Sequence, residues 1–459
     1  MVLRGVLAAL VLAVAPGTAT GPSTTEPSAR TVPASIDTSG ATDVTEALNR
    51  FFADVPDGAV IELRAGADYR VEGTLELSER EDLVLDGRGA RIFATSEGAR
   101  DRSHLSIDKG SGIVVRDLVI EGAHPHGGLE DRAWRTDKAF QHGIRIRGAS
   151  DVELDRVTVT DAFGDLVYVG WSEDRTWSED VWIHDSVLAR NGRQGIAITA
   201  GRNVVIERNT ISDTRRATID LEPDTPALGA VNVHVIDNVI GPGKLRFIAA
   251  HGGGDVSEVV IARNDLRGRD LAIDVQAPEG ARRSSFWVVD NRSDVEAGSS
   301  PLRFTRLDGV VVRGNTQPVD DRRPAITAAD VCGLEVESND FSGAAAVVSR
   351  TGGTCGADVP AAVPPPPELT GRTGDEVREG PEAAAGTGDG SESAAPPADG
   401  PPQDPAADGR SGPLRLSAAE RWGVGLLAAL AGVVVLLVRR RRRRGRRARL
   451  ARRRTVADR

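Results

Sequence analysis

The chain contains 459 residues and carries a formal net charge of −10 at pH 7. Residues 439–459 hold 13 arginines and one aspartate, so the remainder of the chain carries −22. A surface this acidic repels phosphate backbones, and we therefore expect no nucleic-acid partner for that remainder.

The first 41 residues predict an exported chain. Arg4 precedes an apolar run from Val6 to Ala15, and small residues follow at 17–19, which is typical of a signal peptide over residues 1–19. The apolar run is too short to span a bilayer. Residues 20–41 are rich in proline, serine and threonine, and this composition predicts a disordered leader.

An amphipathic helix is predicted over residues 42–52, with Thr42 or Asp43 as its N-cap. Its apolar face consists of Val44, Leu48, Phe51 and Phe52. Short runs that predict strands follow at 59–63, 69–71 and 83–87.

One unit then recurs along the chain. Its second strand is IVVRDLVI at 113, VELDRVTV at 152, VWIHDSVL at 181 and VVIERNTI at 204, followed by VHVIDNVI, VVIARNDL, FWVVDNRS, VVVRGNTQ and LEVESNDF. Successive units lie 23 to 39 residues apart, a period that indicates a stacked solenoid. Leucine-rich repeats fit the period but need a leucine signature that is absent. The β-branched runs favour an all-β right-handed parallel β-helix, and the helix at 42–52 would cover its open end.

Six of these units place an asparagine directly after the strand turn, at Asn209, Asn238, Asn264, Asn291, Asn315 and Asn339. Asparagine tolerates left-handed backbone angles, and stacked amides can hydrogen-bond between coils about 4.8 Å apart. The register therefore predicts an asparagine ladder at one turn of each coil.

The first coils carry GADYRV at 66–71 and LVLDGRG at 83–89. After a helix and a strand, these pieces resemble the entry of the pectate-lyase-like superfamily of secreted β-helix proteins, and the resemblance extends over roughly 42–349. It implies the fold and leaves the reaction open, because that superfamily includes lyases, hydrolases, epimerases, phage tail proteins and non-enzymes. We place the β-helix domain at 42–358.

The longest insertion, residues 121–143, carries His124, His126 and His142. Long loops on a repeat scaffold often bind ligands. His-x-His can ligate a metal, but no supporting cluster stands at ligand spacing, so we predict no metal site. His184 and His234 flank second strands, and we predict structural roles for them.

The two cysteines, Cys332 and Cys355, stand about one coil apart. Equivalent positions on neighbouring coils lie near 5 Å, so a disulfide between them is predicted for an exported chain.

The C-terminal part predicts a membrane-anchored protein. Residues 359–418 have the composition of a disordered acidic linker. Residues 419–438 include 17 uncharged residues from Trp422 to Val438 and predict a single membrane helix. The arginines of 439–459 would keep that end in the cytoplasm, which places the solenoid outside the cell membrane. We expect a monomer.

Residues that alternate with the core positions predict an outward stripe along the solenoid. It contains Arg145, Tyr168, Asp220, Arg246, Asp274 and Arg303. A groove of tyrosine, arginine and carboxylates suits an extended saccharide, so we expect a polysaccharide partner.

Three pieces in order resemble motifs of carbohydrate-active β-helix proteins: GDLVYVG at 164–170, NGRQGI at 191–196 and IDLEP at 219–223. Leu166 stands where glycine is usual, which would crowd the surface beside Tyr168. The resemblance implies a polysaccharide-processing site at Asp165, Tyr168, Arg193, Gln194, Asp220 and Glu222, and we place His142, Arg145 and Asp274 among the substrate-binding residues.

Two reactions fit these residues. Asp220 and Glu222, two apart on one strand, can divide acid and base roles in glycoside hydrolysis. Tyr168 and Arg193 can instead serve β-elimination from a uronate, for which Ca²⁺ would be the only cofactor expected. The structural alternative is that Asp220 and Glu222 form ion pairs with Arg193 and Arg216. The function is therefore predicted as a polysaccharide hydrolase or lyase, with a non-catalytic glycan-binding or spacer protein as the alternative.

Overall fold

The computed structural model describes residues 28–174, 176–352 and 362–369. These residues belong to a unit that spans 1–382. Within the described ranges, no helix has the length and apolarity to cross a bilayer. The predicted signal peptide, membrane helix, arginine tail and Cys355 lie outside these ranges, so those assignments remain predictions.

Over the residues that the structure describes, the elements are strands with one α-helix and two 3-10 helices. Their bounds are β1 (Ala29–Thr31), β2 (Ser39–Asp43), α1 (Thr45–Asp54), β3 (Val60–Glu62), β4 (Asp68–Arg70), β5 (Leu75–Glu81), β6 (Val84–Asp86), β7 (Arg91–Phe93), β8 (Leu105–Arg116), β9 (Val119–Glu121), the 3-10 turns Asp131–Ala133 and Thr136–Lys138, β10 (Ile144–Arg147), β11 (Ser150–Asp155), β12 (Thr158–Ala162), β13 (Val167–Gly170), β14 (Ser178–His184), β15 (Val187–Asn191), β16 (Ile196–Ile198), β17 (Gly201–Glu207), β18 (Thr210–Ser212), β19 (Ile219–Leu221), β20 (Gly229–Ile236), β21 (Val239–Ile240), β22 (Ile248–Ala250), β23 (Asp255–Ala262), β24 (Asp265–Leu266), β25 (Ile273–Gln276), β26 (Arg283–Val289), β27 (Arg292–Ser293), β28 (Leu302–Arg313), β29 (Pro324–Glu337) and β30 (Ala346–Thr351).

The strands stack in parallel into a right-handed solenoid of about 11 turns, as the sequence predicts. Successive turns build a 20-stranded sheet and a 10-stranded sheet, and the last strands, β28 to β30, belong to the larger sheet. Apolar residues at the same position of successive coils are paired directly and face inward; one such row is Val152, Val181, Val204, Val233, Val259, Phe286 and Val310. One repeat is therefore the number of residues after which the chain returns to the same row of core positions.

The predicted N-terminal helix is present, but α1 begins at Thr45 rather than at residue 42. Thr42 and Asp43 belong to β2, and Val44 is the N-cap. Asp43 still serves the first turn, because its carboxylate accepts the Thr45 backbone N–H at 3.0 Å. Leu48 and Phe52 are fully buried in the solenoid core. That this helix covers the end of the solenoid remains a prediction.

The asparagine ladder is confirmed as a chain of hydrogen bonds. The backbone N–H of Asn238 donates to the side-chain oxygen of Asn264 at 3.1 Å, and Asn264 donates in the same way to Asn291 at 3.1 Å. The prediction that these asparagines adopt left-handed angles was wrong. The residue before each one does so: φ is 56° at Asp237 and 54° at Arg263. The asparagine itself is turned inward to satisfy buried carbonyls.

Candidate functional site

Five of the six residues predicted for the stripe are in register along one part of the large sheet; the prediction of Arg246 was wrong, because Ala249 takes its place in the row. Strand pairing aligns Arg145 with Tyr168, Tyr168 with Ala197, and Ala197 with Asp220. It continues from Asp220 through Ala249 to Asp274 and then to Arg303. Because neighbouring coils are about 4.8 Å apart, the stripe brings residues far apart in sequence onto one face.

A cleft of about 720 Å³ opens at the middle of this stripe. Four of the predicted site residues line it: Gln194, Asp220, Glu222 and Asp274. Turns of the following coils supply the rest of its lining, chiefly the charged residues Arg216, Lys244, Arg246, His251, Arg269, Asp270 and Glu296. The cleft is therefore a polar depression in which cations and carboxylates alternate.

Asp220 is the most deeply placed acid of the cleft, with 6% of its surface exposed. Burial, together with the negative charge of Glu222, raises the pKa of Asp220 to about 7. The side-chain amide of Gln194 donates to an Asp220 oxygen and accepts the Ala217 backbone N–H at 2.8 Å. Asp220 thus has a fixed orientation and is a proton donor below neutral pH.

Glu222 has the opposite environment. Its carboxylate accepts a hydrogen bond from Arg193 at 2.6 Å, and 31% of its side chain is exposed. The same guanidinium binds Asp165 at 2.8 Å. Arg193 therefore bridges the two carboxylates with a charge-assisted hydrogen bond to each.

Asp165 anchors this arrangement from inside the turn, as its inward position in the sequence predicts. It is fully buried, accepts the Gln194 backbone N–H at 3.0 Å and lies 3.2 Å from His142 Nδ1. Burial acts to raise the pKa of Asp165, but Arg193 and His142 outweigh it, so the pKa is lowered. Asp165 therefore holds Arg193 in place.

The remaining predicted residues lie one or two coils behind the cleft, outside its lining. Tyr168 stacks on His142 with ring centres 4.7 Å apart, and its hydroxyl accepts from Thr199 at 2.8 Å. Burial raises the pKa of Tyr168 to about 12. Arg145 donates to Ser106 at 3.1 Å.

Two local expectations differ from the structure. Leu166 is fully buried in the core and does not crowd the surface beside Tyr168. Strand β13 begins only at Val167, so the in–out alternation of the strand does not extend to Leu166. Arg216 lies 5.0 Å over the ring of Trp134, whereas the structural alternative would pair it with Asp220 or Glu222. Of that alternative, only the contact between Arg193 and Glu222 is present.

The prediction missed His251, which is half exposed at the cleft. Its Nε2 lies 3.8 Å from an Asp274 oxygen, and Arg246 lies 3.5 Å from the other oxygen. The signal for it was available, because the step of 29 residues from Asn209 to Asn238 also leads from Glu222 to His251. Registering the outward positions by this step would have found it.

His124 of the insertion is held by structural contacts. His124 Nε2 lies 2.7 Å from the Ala133 carbonyl, and its ring stacks on Phe163 at 4.3 Å. Within the described ranges, the single cluster of three or more ligand-type residues close enough to hold a metal is Asp155, His184 and Asp185. None of these three lines the cleft.

Comparison with known proteins agrees with the fold. Residues 103–293 match the family model described as a right handed beta helix region. The structure of endo-xylogalacturonan hydrolase from Aspergillus tubingensis is similar with a TM-score of 0.51 and 13% identity, covering 72% of this chain and 100% of that one. No curated protein sequence matches the chain.

Two further solved structures are similar with lower scores. PfbA, a surface adhesin of Streptococcus pneumoniae, has a TM-score of 0.49 and 14% identity, covering 71% of this chain and 94% of that one. DFA-IIIase from Arthrobacter chlorophenolicus A6 has a TM-score of 0.48 and 14% identity, covering 73% and 99%. At such identities the likeness concerns the fold alone.

Proposed function

We propose that this chain, which has the right-handed parallel β-helix fold of the pectate-lyase-like superfamily, binds and hydrolyses a polysaccharide outside the cytoplasm. The predicted signal peptide and the predicted membrane helix at 419–438 would tether the solenoid to the outer face of the membrane. A cleft that opens along stacked coils can receive a linear glycan lying parallel to the solenoid axis.

The observation that carries the proposal is the unequal pair of carboxyl groups in the cleft. Asp220 has a pKa of about 7 and can give a proton to the glycosidic oxygen, while Glu222 is more exposed and accepts a hydrogen bond from Arg193. Alternate residues of one strand stand about 6.6 Å apart, a range in which two carboxyl groups can flank a glycosidic bond. In this mechanism Asp220 is the general acid, and Glu222 activates water or attacks the anomeric carbon.

Elimination has less support from the same geometry. A lyase needs a cation for the uronate carboxylate, but Arg193 already binds Asp165 and Glu222. A base must accept the C5 proton, but a pKa of about 12 keeps Tyr168 protonated at neutral pH. Ca²⁺ enters the proposal only if the products show elimination.

One observation favours the second candidate, a surface protein that binds glycan without cleaving it. Asp220 is only 6% exposed, and one carboxylate oxygen of Glu222 is hydrogen-bonded to Arg193. Access of both groups to a substrate must therefore be tested directly.

The test is a panel of neutral and acidic polysaccharides, with reducing ends and unsaturated uronates followed together, with and without Ca²⁺. We expect reducing ends without unsaturation, and we expect Asp220→Asn and Glu222→Gln to lower kcat by at least about 100-fold. Asp237→Asn, an exposed substitution at a distant turn, is the control and should leave the rate unchanged. Unsaturated products would establish a lyase, and binding without products would establish the glycan-binding protein.

A further inference from the structure

A second cluster of chemically active side chains lies on the outer face of the large sheet, on β11 and β14. Val181 and Ile183 of β14 point into the core, so Trp182 and His184 between and after them point outward. Pairing of the two strands places Asp155 beside His184 and Glu153 beside Trp182. The four residues therefore form one patch, separate from the cleft.

The donor atoms of this patch converge on one edge of the His184 ring. His184 Nδ1 lies 2.7 Å from an Asp185 oxygen and 3.7 Å from Asp155 Oδ1. The three ligand atoms all lie within 4.8 Å of one another. A single ion between them would reach one nitrogen and two oxygens.

The other edge of the ring is held by a different carboxylate. Glu153 Oε1 lies 3.1 Å from His184 Nε2. A carboxylate that accepts one ring N–H fixes the tautomer and leaves the opposite nitrogen free to bind a metal, an arrangement that recurs around metal-bound histidines.

Two buried oxygens of this patch have no hydrogen-bond partner. Asp155 Oδ1 and Glu153 Oε2 are unpaired, although each residue is only 2% exposed. Buried carboxylate oxygens without partners are costly and usually indicate a missing ligand. Asp155 Oδ1 lies on the Nδ1 side of His184, where an ion between it and Asp185 would sit.

We propose that His184, Asp155 and Asp185 bind one divalent transition-metal ion, with Glu153 as the positioning residue behind the histidine. One imidazole and two carboxylates suit Zn²⁺ or Mn²⁺ better than Ca²⁺, which prefers a shell of six to eight oxygens. Asp185 is the ligand open to solvent, with 39% of its side chain exposed, and water would complete the coordination shell.

Two arginine side chains already contact the proposed ligands. Arg208 binds Asp185 at 2.8 Å, and Arg156 contacts the second oxygen of Asp155. The metal therefore shares Asp185 with Arg208 or displaces it, so moderate affinity is expected. Because the site lies outside the cleft, this inference is independent of the proposed hydrolysis.

The experiment uses the full purified chain, stripped with a chelator and titrated calorimetrically with ZnCl₂, MnCl₂ and CaCl₂. We expect one Zn²⁺ or Mn²⁺ per chain, with Ca²⁺ at least tenfold weaker. His184→Gln and Asp155→Asn should each weaken binding by tenfold or more, in line with loss of a metal ligand.

His234→Gln is the matched control, because His234 lies on the same face, two coils along, with Asn232 as its partner at 2.9 Å. It should bind like the parent chain. Circular dichroism separates lost binding from lost folding, and Asp155→Asn preserves side-chain shape if His184→Gln unfolds. Absence of stoichiometric binding, or equal binding by folded His184→Gln, would overturn the proposal.

Discussion

At the residue scale, two aspartates of the cleft, Asp220 and Asp274, have opposite effects on the pH dependence of folding. A buried carboxyl group whose pKa is raised in the folded protein is stabilising while protonated and costly once ionised. Asp220 fits this description, since its folded pKa is about 7 against an ordinary value of 3.8. Asp274 lies on the same stripe, but the neighbouring His251 and Arg246 side chains lower its pKa.

We therefore predict that Asp220→Asn makes the protein more stable at pH 8. The contribution of Asp220 is fully present below its unfolded pKa and is lost as the pH rises through about 7, whereas asparagine carries no charge at either pH. The gain in Tm over the parent chain should be clear at pH 8 and nearly absent at pH 4. Differential scanning calorimetry at the two pH values measures it.

Asp274→Asn is the control of opposite sign. Its carboxylate contributes stability above the ordinary pKa of 3.8, and this contribution is lost only as the pH falls through the lower folded pKa, so the substitution should lower Tm at both pH 8 and pH 4. If both variants lowered Tm equally at pH 8, Asp220 would be an ordinary paired carboxylate and the acid assigned to the reaction would be lost.

At the element scale, the turn that carries the asparagines explains why the coils keep one register. Asn264 donates from its side chain to the Val235 carbonyl at 2.8 Å and to Asn291 at 2.8 Å, and it accepts from Asn238 at 3.0 Å. Each member thus satisfies buried groups of the coils on both sides. A single coil cannot satisfy these groups, so the ladder links the coils from Asn209 to Asn339 to one another.

We predict that Asn264→Ala lowers the free energy of unfolding by roughly 3 kcal/mol, because several buried backbone and amide groups lose their partners. Asn339→Ala should cost less, since Asn339 is the last member and is partly exposed. Chemical denaturation of the two variants measures the difference. Equal, small losses would mean that the core rows alone set the register.

Much of this element-level order was readable from the sequence, because a solenoid repeats its environment at a fixed spacing. The asparagine spacing predicted the ladder, and the outward alternation predicted the row from Tyr168 to Asp220. The left-handed position was misplaced by one residue, because aspartate and arginine tolerate it with an ion pair to the next coil, as between Asp237 and Arg263 at 2.6 Å.

The cluster of Asp155, His184 and Asp185 was not predicted from the sequence, for a related reason. Asp155 and His184 are 29 residues apart, which matches no local ligand motif and becomes a contact only when two coils are aligned. Likewise, the cleft wall contributed by Lys244 and Arg269 comes from turns whose direction the strand pattern does not specify.

At the scale of the whole molecule, the large sheet carries an apolar patch on its outer surface. The patch consists of Ile236, Val260, Ala262, Trp287, Val289 and Val311, which are all nearly fully buried. Sequence alone could not separate these residues from the core, because both sides of the strands are apolar there. The predicted linker includes residues 362–369, and Val363 of this segment packs against the patch.

We predict that Val363→Asp uncovers this patch. A carboxylate placed against Trp287 and its neighbours should detach the segment. The free energy of its packing on the patch should fall by about 1–2 kcal/mol, near the value for burying a valine side chain. Tryptophan emission should shift to the red and binding of a hydrophobic dye should rise, while a Trp287→Phe background removes the emission shift. Glu368→Ala, an exposed change in the same segment, should leave both signals as in the parent chain. An unchanged spectrum in Val363→Asp would show that Val363 does not cover Trp287, and the contact between this segment and the patch would be refuted.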